Sequence, residues 1–480
     1  MRPISRRRAV QLGALGAAGM VIGGVGLSQT GLPVRAQATS GGGGQALREP
    51  PVLRSRDGVL RIELEISPQE VELAGRRATV LTYNGTVPGP TWWVQPGDLL
   101  QVRLINRMDS PTNLHTHGMH VSPLGNGDNP FLHIEPGESF DYEFPLADDH
   151  PTGTFWYHPH RHGLVADQLF AGLYGAIVVA DEVPADEERL LIVSDISLQD
   201  DGTVSPTSRP ERMMGREGDL VMVNGQLRPE LTARPGQRER WRVVNACTSR
   251  FLRLALPGQV LHLLAMDSGH LASPRPVERV LLAPGNRADL LVTAEPGTSE
   301  LRTVGYDRGQ MMGMMGRETL SGPATLATYQ VAGTAVADAA PLPPREPPTD
   351  LRERQPARDR DVEFTMGMGM GMRGAQFGFD GQAFDPDRTD QRVEAGTVEQ
   401  WTIRNPSPLD HPFHLHVWPV QVVSDNGEPA AEPVWRDVVN VPAGSQVTVR
   451  IRFDIPGRTV YHCHILDHED LGMMAVVATA

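Results

Sequence analysis

The chain has 480 residues, a formal net charge of −14 at neutral pH, 50 glycines and 41 prolines. A chain of this length usually divides into about two to four domains, and a composition rich in glycine and proline but poor in aromatic residues favours a loop-rich β protein. The negative charge argues against a nucleic-acid partner, because proteins that bind nucleic acids usually present a basic face.

Residues 1–38 have the pattern of an export signal of the twin-arginine type. The arginines of "SRRR" precede a weakly apolar stretch rich in glycine and alanine, and "VRAQA" offers small residues for cleavage after Ala36 or Ala38. A membrane anchor is the alternative, but so many glycines disfavour a stable spanning helix. We therefore expect a protein exported to the periplasm or the cell exterior, without a stable membrane anchor.

A second pattern recurs three times along the chain. Each copy has a glycine turn, a variable stretch, another glycine turn and an alternating segment that ends in asparagine, and the copies lie at 84–106, 224–245 and 380–405. The alternation of Leu100, Val102 and Leu104 has the period of a half-buried strand. The repeat therefore predicts three similar all-β units.

We place these units at residues 46–183, 188–335 and 362–480. The stretch at 340–361 is rich in proline and charge, which predicts an extended linker before the third unit. Where the outer units carry His-x-His, the middle unit reads Thr303-Val304-Gly305. The middle unit is therefore predicted to be a spacer without metal ligands.

Ten of the 16 histidines fall into four compact groups, which are His115 and His117; His158 and His160; His411, His414 and His416; and His462, His464 and His468. Residues two apart on a strand project from the same face, so each His-x-His pair directs two imidazoles toward one place. Four such pairs supply eight imidazoles. That number is sufficient for three metal ions with positions left open for a small oxygen ligand.

Cys463 lies between His462 and His464 and must therefore face the opposite side of the same strand. Two histidines, one cysteine and a weak thioether are the ligands of a blue-copper centre, and His411, His468 and Met473 are the candidates to complete that set. Zinc is the competing metal, but structural zinc sites prefer closed sets of cysteine pairs, and the chain has only two cysteines. Cys247 is then expected to be a buried, small apolar residue.

The motifs "HTHG", "HPH", "HPFHLH" and "HCHILDHEDLGM" resemble, in this order, the four signatures of the multicopper oxidases, in the branch of bacterial three-domain laccases and cuprous oxidases. The resemblance implies three consecutive cupredoxin-like Greek-key β-barrel domains. It also implies four copper ions and an enzyme that couples four one-electron oxidations to the reduction of O₂ to two waters. The donors would be phenols, aromatic amines or metal ions such as Cu(I). The alternatives are a dedicated cuprous oxidase for copper tolerance and a non-catalytic periplasmic copper-binding protein.

The same resemblance assigns roles to individual residues. It implies type 2 copper at His115 and His414, a type 3 pair at His117, His158, His160, His416, His462 and His464, and type 1 copper at His411, Cys463, His468 and Met473. One departure is Thr116, at a position where many relatives have tryptophan. Glu469 and Asp128 correspond to proton-supplying acids of the family, and the alternative for both is an ordinary turn or solvated carboxylate.

The 18 methionines include three clusters: Met213 and Met214; Met311, Met312, Met314 and Met315; and Met366, Met368, Met370 and Met372. Thioether sulfur is a soft ligand that suits Cu(I). The alternative is flexible apolar packing, although glycines between methionines are poor core material. We therefore predict additional Cu(I) binding by the second and third clusters, in a protein expected to be a monomer.

Overall fold

The computed structural model describes residues 44–309, 320–337, 342, 345–368 and 375–480. The predicted export signal lies outside these residues, as do the methionines at positions 311, 312, 314, 315, 370 and 372. Among the described residues, no helix has the length and apolar character needed to cross a membrane.

The first unit is a pair of sheets with one short helix. Its elements are β1 (Val52–Arg54), β2 (Val59–Leu73), β3 (Arg76–Tyr83), β4 (Thr91–Val94), β5 (Leu99–Asn106), β6 (His115–His117), β7 (Ser139–Pro145), β8 (Gly153–His158), α1 (Val165–Phe170) and β9 (Gly175–Val179). The strand orders are β1-β4-β9-β8-β6 and β3-β2-β5-β7. Leu100, Val102 and Leu104 of β5 are all buried, which confirms the predicted alternating strand.

The second unit is also a pair of sheets. Its elements are β10 (Glu187–Ile196), α2 (Arg209–Met214), β11 (Leu220–Val223), β12 (Glu230–Ala233), β13 (Arg238–Asn245), β14 (Leu252–Ala255), β15 (Val260–Met266), β16 (Gly269–Pro276), β17 (Val280–Leu282), β18 (Arg287–Thr293), β19 (Gly297–Val304), β20 (Tyr306–Asp307), β21 (Leu320–Ser321) and β22 (Ala324–Val331). The strand orders are β11-β10-β13-β18-β15-β16 and β12-β22-β19-β14-β17, with β20 and β21 paired separately. Cys247 is a free, fully buried cysteine in this unit's core, as predicted.

The third unit follows a short 3-10 helix, Leu351–Glu353. Its elements are β23 (Arg358–Met368), β24 (Ala375–Phe379), β25 (Gln391–Val393), β26 (Thr397–Asn405), β27 (His411–Leu415), β28 (Val420–Asp425), β29 (Glu428–Pro429), β30 (Trp435–Arg436), β31 (Val438–Val441), β32 (Ser445–Phe453), β33 (Gly457–Cys463), α3 (Leu466–Asp470) and β34 (Met474–Thr479). One sheet has the order β24-β23-β26-β32-β28-β29, with β30 also paired to β28, and the other has the order β25-β34-β33-β27-β31.

Strand β23 begins at Arg358, inside the stretch predicted as a linker. The charges of Arg358, Asp359, Arg360 and Asp361 suggested solvated chain, but this segment runs parallel to β26. The guanidinium of Arg360 there pairs with the Glu399 carboxylate at 2.6 Å. These charged residues therefore form the start of strand β23. The linker before the third unit is shorter than the composition indicated.

Strand pairing explains how histidines far apart in sequence meet. In the first unit β6 pairs antiparallel with β8, which sets His115 opposite His158. In the third unit β27 pairs antiparallel with β33, which sets His414 opposite His462. Three successive pairs of sheets confirm the predicted all-β architecture. In each outer unit, the strand pairing places one His-x-His motif next to the other.

Candidate metal centre

Eight buried histidines from the two outer units form one group, called here the histidine cluster: His115, His117, His158, His160, His414, His416, His462 and His464. The Nε2 atom of His462 lies 3.1 Å from Nε2 of His160 and 3.2 Å from Nε2 of His416. Two nitrogens that bind one ion at about 2.0 Å each are separated by about 3 Å. The cluster therefore has the spacing of imidazoles that share metal ions.

Main-chain carbonyls fix which ring nitrogen carries the proton. His158 Nδ1 lies 2.8 Å from the Pro159 oxygen, and His462 Nδ1 lies 3.0 Å from the Cys463 oxygen. Because a carbonyl oxygen only accepts hydrogen bonds, both rings donate from Nδ1 and keep an unprotonated Nε2. Burial lowers the pKa of His158 to about 3 and that of His462 to about 4, so both rings are neutral at neutral pH. Neutral imidazole is the form that binds metals.

Asp437 orients two further rings of the histidine cluster, although sequence reasoning did not identify it. Its main-chain oxygen accepts from His414 Nδ1 at 2.7 Å, and its carboxylate accepts from His117 Nε2 at 3.0 Å. His117 therefore presents Nδ1, which lies 3.2 Å from His464 Nε2. No motif marks Asp437, because it lies in the stretch "WRDVV" between the histidine groups.

The middle unit contributes to this site through Arg287 of β18. The Arg287 guanidinium donates to both Asp437 carboxylate oxygens, at 2.5 and 2.6 Å, and its Nε donates to the Thr154 oxygen of the first unit at 2.9 Å. Burial raises the pKa of Asp437 to about 6, with Arg287 opposing the rise. Arg287 thus joins all three units beside His117. Within the described residues the middle unit supplies no histidine to this site, and through Arg287 it holds the carboxylate that orients one.

A close backbone approach adds a second contribution from the middle unit. Gly285 has a φ of +87°, and a Cβ added to it would lie 2.9 Å from ring atoms of His464. Glycine is suited to this position because it tolerates positive φ and brings no side chain against the imidazole.

Asp128 lies at the edge of the histidine cluster and is buried. Its carboxylate oxygens lie 2.9 and 3.0 Å from His115 Nδ1, and one of them accepts the Thr116 N–H at 2.9 Å. Burial raises the pKa of Asp128 to about 7, and the hydrogen bonds from Thr116 oppose the rise. The threonine that departs from the family pattern therefore contacts this carboxylate, and its side chain does not reach the cluster as a ligand.

Glu469 lies on α3 and is fully buried between two members of the cluster. Its carboxylate oxygens lie 3.5 Å from His160 Nε2 and 3.2 Å from His462 Nδ1. Neither oxygen has a hydrogen bond of good geometry to any described residue. Burial raises the pKa of Glu469 well above its usual range, and Asp470 adds to the rise, so the surroundings favour the protonated carboxyl group.

Cys463 faces away from the histidine cluster and contacts His411 of β27 and His468 of α3; these three residues, with Met473 as the predicted fourth member, are called here the cysteine site. Cys463 Sγ lies 3.4 Å from His411 Nδ1 and 3.9 Å from His468 Nδ1, and the two Nδ1 atoms are 3.4 Å apart. Burial raises the pKa of the Cys463 thiol and lowers that of His411 to about 3. A thiol in such surroundings loses its proton only when a cation replaces it.

The remaining member of the cysteine site is Met473, which is fully buried in the same apolar core as Cys463. Its main-chain oxygen accepts the Cys463 N–H at 3.0 Å. On the outer side, His468 Nε2 donates to the Met213 oxygen at 3.1 Å, so α2 covers that ring. The Met213–Met214 pair thus contacts the cysteine site through a main-chain oxygen.

The donor atoms fit copper. Triads with ligand atoms within 4.8 Å of one another include His160, His416 and His462 in the histidine cluster, and His411, Cys463 and His468 in the cysteine site. His158 Nε2 is buried without a hydrogen-bond partner among the described residues, as expected of a ligand atom. A triad of two imidazoles and one thiolate is typical of blue copper, whereas a closed zinc site would need a fourth strong ligand.

The remaining histidines, at positions 120, 133, 150, 162, 262 and 270, belong to none of these triads within the described part of the chain. His162, which extends the "HPHRH" alternation, packs its ring edge-on against Phe384 with centroids 4.7 Å apart. It is therefore held by an aromatic contact.

Comparison with known proteins identifies the class. Models of the multicopper oxidase family match residues 65–184, 190–300 and 355–480, which together span more than half of the chain. The chain belongs to the multicopper oxidases, and its fold is three cupredoxin-like domains. It is therefore a copper-dependent oxidoreductase that uses O₂ and a reducing substrate, which confirms the family, fold and enzyme class predicted from the motifs.

The chain is similar to several individual members of this family and to related proteins. The chain is 27% identical to multicopper oxidase mco of Staphylococcus aureus, covering 84% of each chain. It is 29% identical to the cell division protein FtsP of Escherichia coli, covering 90% of this chain and 91% of the relative. A solved multicopper oxidase from Campylobacter jejuni, described as a metallo-oxidase, superposes with a TM-score of 0.81 at 29% identity, covering 91% of this chain and 96% of that one.

Proposed function

We propose that this chain is a laccase-type oxidase that holds four copper ions and passes electrons through Cys463 to the histidine cluster. The observation that carries the proposal is the alternation along β33 and the residue that follows it. His462 and His464 contact cluster histidines, whereas the intervening Cys463 contacts His411 and His468. Cys463 is covalently adjacent to a cluster histidine on each side, so a short through-bond path joins the two sites.

The contacts support the following assignment of the ligands. His411, Cys463, His468 and Met473 would hold type 1 copper. His115 and His414, whose Nε2 atoms lie 3.5 Å apart, would hold type 2 copper. His160, His416 and His462 would hold one type 3 ion, and His117, His158 and His464 would hold the other. When bound, these ions supply the one-electron oxidation of the donor and the four-electron reduction of O₂.

Two carboxyl groups are proposed to supply protons. Glu469 lies beside His160 and His462, and its burial raises the pKa of its carboxyl group and so favours the protonated form. Asp128, whose pKa of about 7 lets it exchange protons near neutrality, lies beside His115. Imidazoles that bind metal cannot give up protons to oxygen, so nearby carboxylic acids are the natural donors.

The cysteine site favours donors that are easy to oxidise. A thioether ligand such as Met473 would give bound copper a lower potential than an apolar residue there would. Phenols, aromatic amines and metal ions such as Cu(I) are therefore the expected donors, and similarity to a protein described as a metallo-oxidase supports the metal-ion option.

The test is an anaerobic reduction followed by admission of air, on copper-loaded protein. A four-copper oxidase is expected to bleach on addition of a reductant, then recover its blue colour while it consumes O₂. Metal analysis is expected to give about four copper ions per chain. The second candidate is a non-catalytic copper-binding or structural protein, which the similarity to FtsP favours. Failure to recover colour, or far fewer bound ions, would support that candidate.

The methionine segments are proposed to deliver Cu(I). Met366 lies on β23 and is half-buried against the core of the third unit, so the third cluster starts beside a structured strand. We expect simultaneous replacement of Met366, Met368, Met370 and Met372 by leucine to slow Cu(I) oxidation and leave phenol oxidation unchanged. Steady-state rates with both donors check this. If the replacement changes neither the rate of Cu(I) oxidation nor the rate of phenol oxidation, the proposal is wrong.

Three further assignments rest on the sequence. We propose that residues 1–38 direct export by the twin-arginine route to the periplasm or cell exterior. The mature chain would then comprise units at 46–183, 188–335 and 362–480, the last preceded by the stretch at 340–361. We propose that it acts as a monomer. Size-exclusion chromatography of the mature protein tests the monomer, and N-terminal sequencing of the exported chain tests cleavage after Ala36 or Ala38.

A further inference from the structure

Helix α3 carries one residue of the cysteine site and one neighbour of the histidine cluster side by side. His468 faces Cys463, and the next residue, Glu469, lies beside His160 of the histidine cluster. The helix has only five residues, and its N-cap is Ile465, whose apolar side chain cannot accept a hydrogen bond from the first turn. A helix this short is not stable by itself, so contacts from outside must fix its position.

Two carboxylates of α3 tie the helix to the other two units. Near its end, Asp470 accepts the Gly163 N–H of the first unit at 2.7 Å. Near its start, Asp467 accepts three kinds of donor from Arg216 of the middle unit: the main-chain N–H at 2.8 Å, Nε at 3.0 Å and Nη2 at 2.6 Å. The Arg216 and Asp467 side chains are only 5% and 0% exposed. A two-pronged pair is directional, so it fixes the orientation of α3 relative to the middle unit as well as the distance.

The chain just before Arg216 also follows α3 closely. The Met213 main-chain oxygen accepts from His468 Nε2 at 3.1 Å, so one short segment of the middle unit contacts two consecutive residues of the helix. Between these contacts, a Cβ added to Gly215 would lie 2.7 Å from Cγ2 of Ile465, and the φ of this glycine is +78°. Glycine therefore lets the backbone of the middle unit approach the start of α3 directly.

The guanidinium of Arg216 also reaches the first unit. Its Nη1 donates to Asp167 of α1 at 2.6 Å, and Arg212 of α2 donates to the same carboxylate at 3.0 Å. The Asp167 side chain is 40% exposed, whereas Asp467 is fully buried. Because solvent screens the exposed pair much more than the buried one, Arg216 acts mainly on α3.

We propose that Arg216 is a positioning residue for both metal sites and acts through Asp467. Their pair holds α3 so that His468 Nδ1 faces Cys463 Sγ. It also keeps the Glu469 carboxyl group beside the histidine cluster. Without the pair, α3 would shift and both residues would move together, because they are neighbours on one helix. This inference rests on the proposed function, in which His468 binds type 1 copper and Glu469 supplies protons.

The test is Arg216→Gln in copper-loaded protein, with Arg212→Gln as the matched control. Among the described residues, the Arg212 guanidinium donates to Asp167 and not to α3. We expect the cysteine site of Arg216→Gln to lose affinity for copper by about 10- to 100-fold, with a shifted blue absorption band, since a group that orients a ligand is lost. O₂ turnover should fall by about 100-fold, the effect typical of a misplacement of about 1 Å. Chelator titration followed at the blue band, and oxygen consumption, measure these effects, and Arg212→Gln should match the unmodified protein in both.

A second variant, Asp467→Ala, keeps the test decisive if Arg216→Gln does not fold, because Arg216 then retains its pair with Asp167. We expect the same loss of copper affinity, and no further loss when both changes are combined, since each removes the same interaction. Unchanged copper affinity and blue absorption in either variant overturns the proposal, even if the free energy of unfolding falls. An equal loss in Arg212→Gln also overturns it.

The unmodified protein separates this inference from the proposed function. If it binds no blue copper, the proposed function fails and this inference fails with it. If it is blue and recovers its colour in air while both variants behave as it does, only the positioning role of Arg216 is wrong.

Discussion

The histidine cluster and the cysteine site lie on opposite faces of one strand but draw their side chains from different parts of the chain. All four residues of the cysteine site come from the third unit, between His411 and Met473. The histidine cluster takes four imidazoles from each outer unit, and Arg287 of the middle unit steadies it by holding Asp437 of the third unit, which orients His117. The predicted ligands of the cysteine site therefore come from one unit, to which α2 of the middle unit adds the Met213 oxygen that holds His468, whereas the histidine cluster draws its ligands and their supporting contacts from all three units.

This difference separates two kinds of failure. Damage inside the third unit should affect the colour of the cysteine site first. Damage to the contacts that Arg287 makes between units should remove metal from the histidine cluster and leave the cysteine site intact. Variants that act on one site and spare the other therefore test whether the two are as independent as their origins indicate.

The largest effect is expected for Cys463→Ser. A serine hydroxyl is a poor substitute for thiolate, so the blue absorption should disappear and turnover should fall to the level of copper-free protein. The histidine cluster does not use this sulfur and should retain its metal, giving about three copper ions per chain. Metal analysis and the visible spectrum check this. Loss of all bound copper would show that the two sites are not independent.

The next effect concerns proton supply at the histidine cluster. Glu469→Gln removes a buried carboxylic acid that lies 3.5 Å from His160 Nε2. We expect O₂ turnover to fall about 10²- to 10⁴-fold, the range typical of a lost acid–base group, with the blue colour unchanged. Oxygen-consumption rates and visible spectra are the measurements. Glu394→Gln, at an exposed position, is the matched control, and full turnover by Glu469→Gln would exclude a role for this carboxyl group.

A smaller effect is expected from Arg287→Gln, which breaks the link from the middle unit. Loss of a group that orients a ligand typically lowers metal affinity about 10- to 100-fold, so copper should leave the histidine cluster before the cysteine site. The free energy of unfolding should drop by about 3–5 kcal/mol, because Asp437 stays buried without its partner. Chelator titration and denaturant unfolding measure the two effects.

The control for that variant is the pair Arg287→Gln and Asp437→Asn. Removing both charges should recover part of the stability lost by Arg287→Gln alone. It should not recover metal affinity, since His117 would still lack its carboxylate. Equal loss of copper from both sites in Arg287→Gln would contradict the view that the two sites depend on different contacts.

The smallest effect concerns pH and the contact between the outer units. His120 links the first unit to the Val417 oxygen of the third at 2.9 Å, and His150 accepts the His120 main-chain N–H at 3.1 Å. Burial lowers the pKa of His150 from 6.5 to about 4. Neutral His150 therefore stabilises the fold above pH 6.5, and this contribution is lost as the pH falls toward 4.

The corresponding variant is His150→Gln, which cannot gain this charge. Between pH 6.5 and pH 4 the unmodified protein should lose up to about 3 kcal/mol more of its unfolding free energy than the variant does. Denaturant unfolding at several pH values measures the difference. Parallel pH profiles for the two proteins would show that His150 does not contribute.

Local periodicity was sufficient to predict much of the site. The alternation in His462-Cys463-His464 predicted contacts on opposite faces, and the described contacts follow that alternation. Arg287 and Asp437 could not be predicted, because they lie 150 residues apart and meet only through packing between units. From sequence alone, a charged residue that is paired within a sheet cannot be distinguished from one in a solvated loop. The start of strand β23 was therefore assigned to the linker.

Gly285 constrains how this chain can have diverged from a repeated ancestor. If the three units arose by duplication, the middle copy gave up its own imidazoles, and its sequence would be expected to drift freely. Yet any side chain at position 285 would meet the His464 ring, and its backbone conformation disfavours other residues. Mutational tolerance at this position of the middle copy is thus limited by the histidine cluster of its neighbours.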